Sequence, residues 1–226
     1  LKAPRTLISD TPFNKIIYLN SNLWLGIQAG GAVAHISGVV KGLLDKGFEI
    51  LFSSVETPVA LPDDKALTIK SVNPRATYVI PRDLNHYRHN TRFFDSLTPQ
   101  FNDPIGFIYQ RMSLGNFSGV LLSRRHRVPL VLEFNGSEKW LAENWGTPLS
   151  LEKLAIRAEN SCLKHAHLVV TVSDVLRDEL IGRGVEPERI ISQPNGVNPD
   201  LFDPDRFTQK DIAQLKNQCG IPQESL

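Results

Sequence analysis

Methionine and cysteine are nearly missing from this chain, and no apolar run in it is long. It has two cysteines and one methionine among 226 residues. Cys162 and Cys219 stand far apart, which suggests reduced thiols in a cytosolic setting and not a disulfide framework. No run approaches the ~18 apolar residues of a membrane span, and the start shows no signal-peptide pattern. Neither sign of charge dominates. Lys and Arg number 25 against 24 Asp and Glu, a net of +1, so a general polyanion binder is not expected and nucleic acid is no partner. The histidines are scattered and the cysteines lack ligand spacing, so no metal site is expected. A P-loop, a nucleophile elbow and the dinucleotide G-x-G-x-x-G are also missing. The chain begins at Leu1 and its lone methionine is Met112. We therefore expect a trimmed start, and hold its end at Leu226 under the same suspicion.

What is present is a regular alternation. With 41% hydrophobic residues the chain can bury the core of one large domain, or of one domain plus an appendage. Residues 1–14, with Pro4 and Pro12, read as a loose lead-in. Lys15–Leu19 is a buried strand, and Ala32, Val33, Ile36, Val39, Val40, Leu43 and Leu44 fall at helical spacing after it. Gly47 stops that helix and Phe48–Phe52 starts a second strand. Ala66–Ile69 and Ala76–Ile80 are short strand candidates, and Tyr87–Leu97 a helix ended by Pro99. Ile105–Tyr109 is a strand, followed by a Gly115-Asn116 opening and a helix through Val120, Leu121 and Leu122. That helix ends in the basic run Arg124-Arg125-His126-Arg127. Pro129–Phe134 is a strand closed by Asn135-Gly136-Ser137, and Leu151–Leu163 is a helix. Leu168–Val172 is a strand, and Ser173 caps a helix running from Asp174 to Arg183, with Gly184 at its end. Arg189–Ser192 is the last strand. Strands alternating with helices imply a parallel sheet covered on both faces.

In such a sheet ligands bind where strands end and helices begin. The loops bearing Gly30-Gly31, Arg111 to Asn116, Asn135 to Glu138 and Ser173 all lie at that edge. Glycine lets another molecule approach the backbone, and a helix start suits a phosphate. Taken alone, Gly30-Gly31 reads equally well as a tight turn.

Four segments in order resemble the N-terminal domain of a GT-B glycosyltransferase of the retaining family 4. They are Gly30–His35; Ile108–Leu114 with Pro129–Gly136; Val172–Arg177; and Pro194–Val197. The resemblance covers roughly residues 15–205. It implies a Rossmann-like three-layer α/β/α domain over 15–205, and a helical linker over 206–226 leading to an absent C-terminal donor domain. It also implies transfer of a sugar from a nucleotide-sugar donor to a saccharide or glycolipid acceptor with retention. This chain would be the acceptor-binding half, inactive alone and holding no catalytic residue. No metal or cofactor is implied beyond the donor substrate. The implied location is the cytoplasm, with peripheral association at the inner face of the membrane left open. Two rivals remain: a non-catalytic sugar-binding or split-enzyme subunit, and a GT-B epimerase or phosphorylase.

The substrate-binding residues implied are Gly30, Gly31, His35, Arg111, Asn135, Gly136, Glu138, Ser173 and Asn195. Many family members carry histidine where this chain has Asn135, which hydrogen-bonds but does not titrate near neutral pH. His35 reads as a cleft contact or as a satisfied histidine. Arg111 reads as a ligand for carboxylate or phosphate, or as a brace on Glu133 or Glu138. Glu133, inside an apolar strand, reads as paired and structural. Glu138 reads as a partner of acceptor hydroxyls. Trp140 and Trp145 suit sugar stacking, with core packing the favoured reading. The cluster Arg82, His86, Arg88, His89 and Arg92 reads as a solvated face or a site for an anionic acceptor group. The glycosylation patterns at Asn116 and Asn135 are discounted.

Overall fold

The alternation produces a parallel sheet in which every described strand runs the same way. The computed structural model describes residues 14–23, 30–58, 60–74, 81–98, 104–196 and 203–225. Its elements are β1 (Lys15–Asn20), α1 (Gly31–Asp45), β2 (Glu49–Ser54), β3 (Leu67–Ser71), α2 (Leu84–Leu97), β4 (Phe107–Arg111), α3 (Ser118–His126), β5 (Leu130–Phe134), α4 (Glu138–Trp145), α5 (Glu152–His165), β6 (Leu168–Thr171), α6 (Asp174–Gly182) and β7 (Ile190–Ser192). The seven strands lie in the order β3-β2-β1-β4-β5-β6-β7, and each neighbouring pair is parallel. The expected strand at Ala76–Ile80 lies outside the described residues.

Handedness decides which helix covers which face. Crossovers between parallel strands are right-handed, so a chain stepping outward from β1 to β2 places α1 on one side. After β3 the chain returns across the sheet and steps the other way, which places the later helices on the opposite side. Two cores result. Ile36 and Val40 of α1 pack with Ile16, Tyr18, Ile50, Phe52 and Tyr109. On the other face Phe93 and Leu97 of α2, Leu122 of α3, Leu163 of α5 and Leu180 of α6 pack with Ile17, Leu19, Ile108, Leu130 and Leu132. The reversal falls between β1 and β4, where the crevice of such a sheet opens.

Several boundaries differ from the sequence reading for physical reasons. β4 begins later than expected and runs on through the polar Gln110 and Arg111. Hydrogen bonding to two neighbours sustains it, ending with Met112 N donating to Glu133 O at 2.8 Å. Gln110 is fully buried, and its amide donates to Asn116 O (3.0 Å) and accepts from Gly119 N (2.8 Å). The last strand starts one residue late, because Pro187–Arg189 forms a 3-10 turn. There the buried Arg189 guanidinium donates to Leu163 O (3.2 Å) and to Ala166 O at the end of α5. The Ser173 cap is present, with its hydroxyl accepting from Leu176 N at 3.3 Å.

Residues Leu1–Asn195 and Gly196–Leu226 form two separate units. The second holds α7 (Gln209–Cys219), opened by a Thr208–Asp211 capping box and closed by Gly220 in the left-handed conformation. Among the described residues no helix is long and apolar enough to cross a membrane. Both cysteines are free thiols.

Gln110 makes Gly119 sensitive to substitution. A Cβ at Gly119 would collide with Gln110 Oε1 and sit 3.0 Å from Leu130 Cδ1. Gly119→Ala should destabilise the chain by about 1–3 kcal/mol, read as a lower midpoint in thermal melts followed by circular dichroism. An unchanged midpoint would show that Gln110 swings aside without loss.

Candidate functional site

All seven strand ends point their C-termini to one edge, and the loops there are tied to one another. The Ser21 and Ser113 hydroxyls share a buried hydrogen bond of 2.7 Å between the loops after β1 and β4. Arg111 and Glu133 stand in register on β4 and β5, so their side chains share a face. Glu133 is 1% exposed and gathers the site around its carboxylate. Tyr109 OH donates to its Oε2 at 2.9 Å. At Oε1 it meets Arg111 Nη1, Asn135 Nδ2 at 2.5 Å and His35 Nε2 at 3.1 Å. Burial alone would raise the Glu133 carboxyl. The His35 bond, the Arg111 charge and the Asn135 bond outweigh it and hold the group below the usual carboxylate range.

This geometry takes up one of the two readings of Arg111. The guanidinium is buried and braces Glu133. His35, one turn inside α1, places its Nε2 3.1 Å from the same carboxylate. Asn135 spends its amide donor on Glu133. Tyr109 and Tyr18 were not anticipated, although Tyr109 sits two positions before Arg111 and therefore on its face. The Tyr18 ring stacks between Phe52 (5.0 Å) and Tyr109 (4.9 Å), and burial pushes its phenol well above the ordinary value.

Gly30 and Gly31 sit at the open mouth. Gly30 has φ 121, and among the described residues no side chain caps α1 and a Cβ at either glycine would meet nothing within 4 Å. Gly136 has φ 138, again with open space around it. Ser173 is spent on its cap, and Asn195 is exposed at the end of the first unit.

Glu138 opens α4 beside a second buried group that no motif announced. Its backbone N–H donates to Glu159 Oε2 at 3.0 Å. Arg183 Nη2 donates to Glu159 Oε1 (2.6 Å) and to Asn160 Oδ1 (3.0 Å), and its guanidinium lies 5.8 Å from the centre of the Phe134 ring. Burial, reinforced by the negative Glu159 and opposed by Arg111, raises the Glu138 carboxyl to about 7.

Two expectations need correction. Trp140 and Trp145 do not pack in a core: they are 49% and 79% exposed, because α4 meets α5 through other side chains, among them Lys139, whose Nζ lies 3.5 Å from Glu152. The basic cluster on α2 is also thinner than its residue types suggest. His89 is 3% exposed and burial, with Arg92 and His86 nearby, lowers it to about 4; burial lowers His86 as well. At neutral pH the positive charge there is left to the arginines.

The model of Glycosyltransferase Family 4 matches residues 29–201. The chain belongs to that family. Its fold is that of the N-terminal half of a GT-B glycosyltransferase. Sucrose-phosphate synthase from Thermosynechococcus elongatus superposes with TM-score 0.69 at 16% identity, over 93% of this chain and 53% of that one. Anabaena HepE in complex with UDP-glucose gives 0.57 at 17% identity, over 91% and 50%. UDP-N-acetylglucosamine 2-epimerase from Rickettsia bellii gives 0.53 at 11%, over 92% and 51%. At such identities the likeness is one of fold alone. The family 4 chain spans about half the length of these structures. No curated protein matches it.

Two measurements test the site's electrostatics. Glu133→Ala leaves Arg111 buried without its partner and should cost about 3–5 kcal/mol in urea unfolding. A loss no larger than that of an exposed residue would show that water replaces the carboxylate. For Glu138 the folded pKa lies above that of the unfolded chain. Its contribution to stability is therefore complete below the unfolded value of about 4.5 and is lost as pH rises through about 7. Glu138→Gln should match wild type near pH 4 and exceed it by on the order of 2 kcal/mol at pH 8. A difference that does not change with pH would mean that Glu138 titrates as a solvated carboxylate.

Proposed function

We propose that this chain is the acceptor-binding half of a retaining glycosyltransferase. It would move a sugar from a nucleotide-sugar donor to a saccharide or lipid-linked acceptor. The observation that carries this reading is the open start of α1 inside a family 4 match. Among the described residues nothing stands within 4 Å of a Cβ at Gly30 or Gly31 and no side chain caps the helix end, whose N–H groups and dipole favour a diphosphate. In the reaction the bond from the anomeric carbon to the diphosphate oxygen breaks and one to an acceptor oxygen forms. The acceptor's proton departs with the nucleoside diphosphate.

The residues here would bind and position. Gly30 and Gly31 approach the diphosphate, and His35 sets their height through Glu133. Arg111 acts through the same carboxylate and not on the ligand. The Asn135 side-chain oxygen and the Gly136 backbone meet sugar hydroxyls. Glu138, close to half-protonated at neutral pH, both donates to and accepts from an acceptor hydroxyl. Ser173 and Asn195 complete the rim. The remaining cations for the leaving group would come from a donor half, and lacking them the chain alone would not turn over, since one such donor is worth roughly 3–4 kcal/mol. The cytoplasm is the proposed place of action, with peripheral association at the inner face of the membrane left open and no metal needed.

The epimerase likeness keeps a second outcome in view. The native protein, recovered from its source cells with an antibody to this chain, is weighed and then incubated with UDP-glucose, GDP-mannose and cell glycan extract. A species roughly twice 25.3 kDa that releases nucleoside diphosphate only with glycan present is expected. The product's anomeric proton, read by NMR, should keep the donor's configuration. Epimerised sugar nucleotide without transfer would favour the epimerase reading. A 25.3 kDa species that consumes no sugar nucleotide would leave a non-catalytic binding subunit.

A further inference from the structure

The helix after β5 presents an aromatic surface that the transfer chemistry does not use. None of the residues of α4 is buried. Trp140 and Trp145 pack edge to face against each other, with ring centres 5.3 Å apart and planes at 75°, yet both remain largely in water. Asn144 Nδ2 donates to Trp140 O at 2.9 Å. Lys139 Nζ bridges Glu143 (3.0 Å) and Glu152 (3.5 Å) across to α5. Two large rings thus lie edge to face with hydrogen-bonding groups around them. The first residue of the same helix is Glu138, at the cleft.

We propose that Trp140 and Trp145 form an oligosaccharide platform, a subsite that holds a saccharide chain running out of the cleft along α4. A pyranose has an apolar face of C–H groups and a belt of hydroxyls. An exposed indole covers the first, and Lys139, Glu143 and Asn144 serve the second. The charge pattern opposes a lipid surface. The only cation on α4 is Lys139, already shared between two carboxylates, whereas anionic headgroups draw helices with a basic face. At 1.5 Å rise per residue, Trp145 lies roughly 10 Å along the axis from Glu138. A chain of sugars, and not a single one, would span that length. The platform rests on the transferase reading for the claim that this saccharide is the acceptor. Its binding is measured apart from any donor.

The test uses the full chain carrying fluorinated tryptophan. Its three tryptophans give separate fluorine signals, assigned with Trp140→Phe and Trp145→Phe. Maltotriose, cellotriose, chitotriose and mannotriose are titrated in turn, then vesicles of phosphatidylglycerol. The expected result is that at least one trisaccharide shifts the Trp140 and Trp145 signals together. Trp145→Ala should weaken that binding about tenfold, while Trp145→Phe, which keeps a ring, restores most of it. Both side chains are exposed, so an unchanged far-ultraviolet spectrum checks that the variants fold. The platform is overturned if no trisaccharide moves either signal, if only vesicles do, or if Trp145→Ala binds as wild type does. In the native protein Trp145→Ala should raise KM for a glycan acceptor and leave KM for the sugar nucleotide unchanged. In that native protein, trisaccharide binding without any consumption of sugar nucleotide would sink the transferase reading and leave the platform standing.

Discussion

A single buried carboxylate holds the cleft together. Glu133 stands at the end of a central strand with almost no solvent, where an unpaired charge costs several kcal/mol. It is tolerated because four side chains from two elements and a loop converge on it: His35 from α1, Tyr109 and Arg111 from β4, and Asn135 just past β5. The dependence runs both ways. Arg111 is itself buried and needs Glu133, and His35 brings α1 to within 3.1 Å of the same carboxylate. The open Gly30-Gly31 backbone is therefore positioned by a polar network beneath it.

The same sheet edge carries two acidic groups in opposite states. Glu133 is surrounded by donors and stays ionised. Glu138, a few residues on, lies beside the negative Glu159 and is pushed toward its neutral form. Environments that separate two carboxylates in this way are common where binding or proton movement matters. The pair Glu159–Arg183 has a structural part as well, since it accepts the first N–H of α4 and joins α5 to the end of α6.

Much of the fold was legible because its signals are local. Apolar periodicity located β1, α1, β5, α5 and β6, Ser173 announced the start of α6, and the strand–helix alternation implied parallel pairing. Two signals misled. The polar residues Gln110 and Arg111 hid the true end of β4, which is sustained by ladder bonds on both sides. Aromatic residue type argued for burial of Trp140 and Trp145, while both rings lie on the part of their helix that faces water.

The sequence by itself determined which segments become strands and helices, where they are capped, and that polar loops gather at one edge. Each of those follows from residues within a turn or two of one another. Tertiary structure alone decided that Arg111 is a brace, that His89 is neutral, that Glu138 meets Glu159, and that two tryptophans face water. Those outcomes depend on dielectric and on partners distant in the chain, such as Glu138 and Glu159 or Arg111 and Glu133. Neither leaves a periodic trace in the order of residues.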